Sequence, residues 1–177
     1  MKGKGAQINV PNSYLKQHVS TEDYDGIDAE LMADKPKTQV FYETPQKILS
    51  HNKSSDLSFL SSVNPYQGCE HGCVYCYARN SHEYWGFSAG LDFETKIIVK
   101  KDAPRLLEKE FLKSSYKPRV VMLSGNTDCY QPLEKKYEIT RSLLKVFDRY
   151  QNPVSIITKN ALVSRDVDLL ELSLIHI

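Results

Sequence analysis

Three cysteines, Cys69, Cys73 and Cys76, fall within a single short stretch, NPYQGCEHGCVYCYARN. Their spacing is C-x3-C-x2-C, with the aromatic Tyr75 directly before the last cysteine. This constrains the chain more than any other feature, because it aims three thiols at one point in space. A structural zinc site takes four protein ligands, and so does an electron-transfer 4Fe–4S cluster. Three cysteines leave one iron of a cluster open to another ligand. Thiolates suit zinc, copper(I) and iron–sulfur chemistry. A zinc site here would need His71, His82 or the distant Cys129 as its fourth ligand. The spacing favours the three-cysteine iron–sulfur site over zinc, and zinc over unligated thiols. Gly68 and Gly72 allow the tight turns that wrapping a cluster requires.

The rest of the composition is that of an ordinary globular protein. The 177 residues suffice for one domain with a hydrophobic core, and 41% are hydrophobic. The formal net charge of +1 gives no global argument for nucleic acid or an anionic membrane as partner. No apolar run is long enough to span a bilayer, and MKGKGAQINV lacks the apolar core of a signal peptide. The expected location is the cytoplasm, where thiols stay reduced and clustered cysteines point to metal or catalysis rather than disulfides.

Residues 1–55 are polar and weakly periodic, and read as an extended, irregular arm with a short strand over Thr38–Tyr42. Residues 56–177 read as the core. Within it, strands are expected over Leu57–Val63, Thr95–Lys100, Arg119–Leu123 and Val154–Thr158. A helix is expected over residues 76–84. Another begins at Asp102, a capping type, with Pro104 in its first turn and an apolar stripe of Leu106, Leu107, Phe111 and Leu112. A long helix is expected from Leu133 to Tyr150, with Ile139, Leu143, Val146, Phe147 and Tyr150 on one face, and a further helical stretch from about Ser164. Alternating strands and helices predict an α/β fold of parallel β/α units. In such folds ligands gather at the carboxyl ends of the strands. The cysteine loop, the loop from Ser124 to Leu133 and Lys159 all come directly after expected strands.

The cysteine motif, with its flanking NPYQGC and CYARN, resembles the signature of the radical S-adenosylmethionine superfamily. It is closest in character to the branch that holds spore photoproduct lyase and the DNA repair photolyase-like proteins. The resemblance runs from about Lys2 to about Leu172. The KGKGAQINVPN and HEYWGFSAGLDFETKI segments are similar to an uncharacterised bacterial subgroup of that branch. The resemblance implies a partial parallel (β/α) barrel, incomplete here, preceded by the irregular extension. It implies that Cys69, Cys73 and Cys76 ligate a 4Fe–4S cluster whose open iron binds S-adenosylmethionine. One electron would then cleave the sulfonium C–S bond to a 5′-deoxyadenosyl radical that abstracts hydrogen from an unknown substrate. A reducing partner such as flavodoxin or ferredoxin would supply that electron.

The same resemblance distributes the remaining roles. Tyr75 falls near the adenine of the cofactor, with Tyr77 beside it; the bland alternative is that one of the two packs in the core. Ser124, Gly125, Asn126, Thr127 and Asp128 form the strand end that holds the cofactor's amino group. Read from residue type alone, Thr127 and Asp128 are equally helix-capping residues, with Pro132 in the first turn. Lys159 resembles the lysine that pairs with the cofactor carboxylate; alternatively it is a solvated strand-end lysine. Spore photoproduct lyase uses a cysteine as hydrogen-atom donor, but that position falls on Gly125, so thymine-dimer repair is disfavoured and Cys129 reads as a buried thiol. His82, Glu83, Tyr84 and Trp85 form a polar–aromatic cluster suited either to a substrate pocket or to helix-end packing. After Cys69 the chain has room for fewer β/α units than the family's barrel uses, and LLELSLIHI does not resemble the family at the corresponding place. The expectation is a truncated core with an unpaired sheet edge. The rival readings are a photoproduct-lyase-like DNA repair enzyme and a non-enzymatic zinc-binding module.

Overall fold

A computed structural model of the chain describes residues 4–15, 37–51 and 61–172. The chain forms a mixed α/β structure of two compact units. One comprises Met1–Val40 and Gly68–Ile97, the other Phe41–Gln67 and Ile98–Ile177. The strands are β1 (Gln39–Tyr42), β2 (Leu49–His51), β3 (Ser61–Val63), β4 (Tyr66–Gln67), β5 (Lys96–Val99), β6 (Val121–Leu123) and β7 (Val154–Ile156). The α-helices are α1 (Asp92–Thr95), α2 (Ala103–Phe111), α3 (Glu134–Tyr137), α4 (Ile139–Arg149) and α5 (Val167–Leu172). Two 3-10 helices cover Tyr77–Trp85 and Ala161–Asp166. The strand expected over Leu57–Val63 is described only from Ser61. Its beginning, the acidic stretch TEDYDGIDAE and the last five residues lie outside the described residues.

The sheets differ from a purely parallel array. One has the order β2-β3-β6-β7, in which β3, β6 and β7 run parallel and β2 pairs antiparallel with β3. The other has the order β1-β5-β4, and β4 runs antiparallel to β5 with Tyr66 opposite Val99. Among the described residues neither forms a closed barrel. The expected series of parallel strands fails at β5: the chain turns after β3, and the short β4 takes β5 as its antiparallel neighbour.

The parallel strands are short apolar runs. Val63, Val121, Leu123 and Val154 have no exposed surface, as suits parallel strands covered on both faces. Helices α2 and α4 pack on each other through Phe111, whose ring lies 5.6 Å from Phe147 and 5.9 Å from Tyr150. Ile139, Leu143, Val146 and Phe147 are buried as their spacing predicts, and Leu144 joins them. Helix α2 ends one residue early, so Leu112 is its C-terminal cap and is 66% exposed. Asp102 precedes α2 but makes no side-chain cap; its carboxylate pairs with Arg105 at 3.4 Å.

The long helix expected over 133–150 is two helices. Glu138 interrupts it with a left-handed φ of 49°. The cause lies in Glu134, which is completely buried. Its carboxylate accepts the N–H of Thr140 at 3.0 Å and of Arg141 at 3.3 Å, the first free donors of α4. It also receives the Tyr66 hydroxyl and Arg165, the latter at 2.9 Å. One side chain thus caps α4, ties it to β4 and neutralises Arg165. Replacing Glu134 by Ala strands two buried donors and uncaps α4, and is expected to cost about 3–5 kcal/mol. Glu134→Gln, which keeps the shape, should cost less. Urea-unfolding midpoints of both variants check this.

Candidate metal and cofactor site

The cysteine loop belongs to the first unit and is built on two glycines. Gly68 has φ 78° and Gly72 has φ 61°, the left-handed region that side chains disfavour. A Cβ on Gly68 would lie 2.9 Å from the Phe93 carbonyl, and one on Gly72 would lie 2.7 Å from the Glu94 carboxylate. Between these turns the Cys69 N–H donates to the Phe93 carbonyl at 2.8 Å, and beyond them the Cys76 N–H donates to the Cys73 carbonyl at 3.3 Å. Cys69 is buried with Ala78 and Phe93, and Cys76 packs against that group. Cys73 is half-buried. None of the four cysteines forms a disulfide.

The donor set fits a thiophilic metal centre: three thiols on one loop, with both wrapping turns formed. Among the described residues, however, no group of three His, Cys, Asp or Glu side chains stands close enough to hold a metal ion.

Tyr75 and Tyr77 are 81% and 77% exposed, so neither packs in the core. The His82–Trp85 cluster divides. His82 is fully buried, its ring 5.2 Å from Phe87 and 5.6 Å from Phe93. Glu83 is buried and receives the Ser13 hydroxyl at 2.8 Å, whereas the exposed Tyr84 stacks on Tyr14 at 4.8 Å. His82, at least, is a packing residue.

In the second unit, the carboxyl ends of β6 and β7 are joined through Asp128. Its carboxylate accepts the Tyr130 N–H at 2.8 Å, the Thr158 hydroxyl at 2.8 Å and the Lys159 N–H at 3.1 Å. The bond to Tyr130 closes a local turn rather than starting a helix, since α3 begins at Glu134. Thr127 is buried, with its hydroxyl on the Tyr66 carbonyl at 2.6 Å. Asn126 bonds through its backbone to Asn64 at 2.8 Å and through its side chain to Gln67 at 3.1 Å. The left-handed turn falls on Ser124, with φ 79°, and not on the neighbouring Gly125. A Cβ on Gly125 would meet the Ser62 Cβ at 3.1 Å, so a side chain there would push Ser62 aside by a few tenths of an ångström. Ser124 offsets its strain by accepting the Cys129 N–H at 3.1 Å and donating to the Thr127 carbonyl. Lys159 is exposed. Cys129 is fully buried, and burial pushes its thiol well above the usual range, as expected of a packing cysteine.

Sequence reasoning missed Arg79 and Glu94. Arg79 donates to the Cys73 carbonyl at 2.8 Å and the Gly90 carbonyl at 3.2 Å, and pairs with the buried Glu94 at 2.5 Å. Nothing in their local sequence marks them, because a buried ion pair between residues 15 apart in sequence leaves no periodic trace.

No family model matches the chain, and no solved structure matches it. Uncharacterised proteins of Mycobacterium bovis and Mycobacterium tuberculosis are each 39% identical to it over 114 residues, 64% of this chain and 34% of theirs. An uncharacterised protein of Methanocaldococcus jannaschii is 34% identical over 107 residues, 60% of this chain and 38% of the relative. The chain spans about a third of the length of the curated relatives it matches.

Among the described residues neither ring nitrogen of His82 has a hydrogen-bond partner, and burial lowers its pKa from 6.5 to about 4. The Asp92 carboxylate offsets this only partly. The unfolded chain therefore binds the proton more readily. The neutral ring's contribution is complete above pH 6.5 and is lost as the pH falls toward 4. The loss amounts to about 3 kcal/mol. In His82→Phe that loss should disappear, flattening the stability curve over this window in denaturant titrations at stepped pH.

Proposed function

We propose that the chain carries the cluster-binding portion of a radical S-adenosylmethionine enzyme whose substrate is a separate question. The observation that supports this most directly is the loop itself: three free thiols spaced C-x3-C-x2-C and wrapped by two left-handed glycine turns. Cys69, Cys73 and Cys76 would hold a 4Fe–4S cluster. When bound, that cluster would supply the electron for reductive cleavage of S-adenosylmethionine. The parallel strands β3, β6 and β7, with candidate residues at their carboxyl ends, suit one side of a radical S-adenosylmethionine barrel.

This chain's own residues bind and orient. Tyr75 and Tyr77, exposed beside the third cysteine, offer aromatic faces for the adenine. By the resemblance, Ser124, Gly125, Asn126 and Thr127 would receive the cofactor's ammonium group. Asp128, engaged by three donors, keeps the β6 and β7 loops together, so its role is positioning. By the same resemblance, Lys159 would supply the cation for the cofactor's carboxylate. A flavodoxin- or ferredoxin-like donor completes the system. The ordinary net charge and the glycine at position 125 both disfavour the photoproduct-lyase reaction.

Anaerobic reconstitution with iron and sulfide should give a brown protein containing labile sulfide. Reduction with dithionite in the presence of S-adenosylmethionine should release 5′-deoxyadenosine, measured by liquid chromatography. Cys73→Ala should bring both to background. A colourless, zinc-loaded protein would favour the zinc module instead, and a cluster-loaded protein that never cleaves the cofactor would sink the enzymatic reading.

A further inference from the structure

The amino-terminal segment is fastened along residues 83–94 by a dense set of hydrogen bonds, all within the first unit. The buried Glu94 carboxylate accepts the N–H of Gly5 at 3.1 Å and of Ala6 at 2.9 Å. Lys4 reaches the Glu94 carbonyl at 3.3 Å. Asn9 and Asp92 exchange a side-chain and a backbone bond, each at 2.8 Å. Ser88 closes a reciprocal pair with the backbone of Val10 at 2.8 and 2.7 Å. Asn12 bridges the carbonyls of Glu83 and Phe87, both at 3.0 Å.

The cysteine loop shares this fastening. Glu94 binds Gly5 and Ala6 while holding Arg79, and Arg79 holds the Cys73 carbonyl. At the crossing, backbone lies on backbone. A Cβ on Gly5 would come within 2.3 Å of the Gly72 carbonyl oxygen, 2.7 Å of the Arg79 guanidinium and 3.0 Å of the Cys73 carbonyl carbon. No side chain fits there, and the nearest obstacle is backbone that cannot step aside.

From this geometry we infer that Lys4–Ala6 is a strap across the cysteine loop, and that Gly5, Glu94 and Arg79 are positioning residues governing how Cys73 is presented to a metal. The metal-holding part rests on the function proposed above; the control of Cys73 does not. The strap fixes the backbone of Cys73 through Arg79, whereas Cys69 and Cys76 are held by packing with Ala78 and Phe93. Ligand-orienting contacts of this kind commonly change metal affinity about 10- to 100-fold when removed.

The test compares the full chain with Gly5→Ala, Arg79→Gln and, as a control, Ile8→Ala, whose side chain belongs to a residue 70% exposed. In metal-free protein, iodoacetamide labelling of Cys73 is measured by peptide mass mapping, with the buried Cys129 as internal reference. Gly5→Ala and Arg79→Gln should raise Cys73 labelling severalfold and leave Cys129 protected, which a globally unfolded variant would not. In reconstituted protein, iron release to a chelator should quicken by about 10- to 100-fold. Ile8→Ala should match the parent in both. A parent that takes up no iron and sulfide overturns the proposed function, and the strap then stands or falls on the labelling. A parent that loads normally, with unchanged labelling and release in Gly5→Ala, overturns the strap and leaves the function intact.

Discussion

The buried Glu94 carboxylate is the interaction on which the first unit depends. It has no exposed surface, and a carboxylate in that position is tolerable only if its charge is met. Arg79 meets the charge, and two backbone N–H groups take the remaining lone pairs. Desolvation makes such pairs poor sources of net stability but severe on any error of geometry. That severity defines the structure here: the segment at residues 4–6, Arg79 and helix α1 must each be in place before Glu94 is satisfied. A buried ion pair thereby supplies positional definition to the loop at Cys73.

Glu134 plays the corresponding part in the second unit. It too is completely buried, shared between an arginine, a tyrosine and the start of a helix. Asp166 extends the arrangement, receiving Arg141 at 2.6 Å, Arg165 at 2.8 Å and the Tyr130 hydroxyl at 3.1 Å. Burial alone would raise its pKa, but the two guanidinium groups outweigh that and hold it below the usual carboxylate range. Both units are thus organised by carboxylates that collect donors from distant segments, and the left-handed Ser124 turn sits beside residues fixed in this way. Strain at a strand end persists when its surroundings leave it no alternative.

The elements that could be read from sequence are those with a local cause. Helix α4 is legible because Leu143, Val146 and Phe147 recur at the helical period, and β5 and β6 because their apolar residues are consecutive and β-branched in part. The interruption at Glu138 was not legible, since it arises from where Glu134 points, and that depends on Tyr66 and Arg165 far along the chain. The antiparallel turn of β4 was hidden for a similar reason: two residues carry no period. In the candidate site, the cysteines and the glycines at 68 and 72 announced themselves by spacing and type. Arg79 and Gly5 did not, because their roles come from a crossing of two remote backbones. Asp128 was legible as a strand-end acid, but its three donors come from tertiary placement.

The number of thiols also becomes more meaningful once their alternatives are placed. A closed four-ligand site needs one more donor, and the sequence offers His71, His82 and Cys129. Cys129 is fully buried, its thiol pushed toward the protonated form that binds metal poorly. His82 is neutral and chemically able to ligate, yet its ring is enclosed between Phe87 and Phe93 with no exposed surface. Its imidazole already lies against Gly68 at the start of the loop, where a Cβ would come within 3.1 Å of it, and Phe87 and Phe93 hold it there. Two of the three candidates are therefore committed to the interior, and His71 lies between the first two cysteines. The cost of recruiting a fourth protein ligand is thus high, while the three thiols share one loop. In the function proposed above, the fourth position would be taken by a molecule from solution.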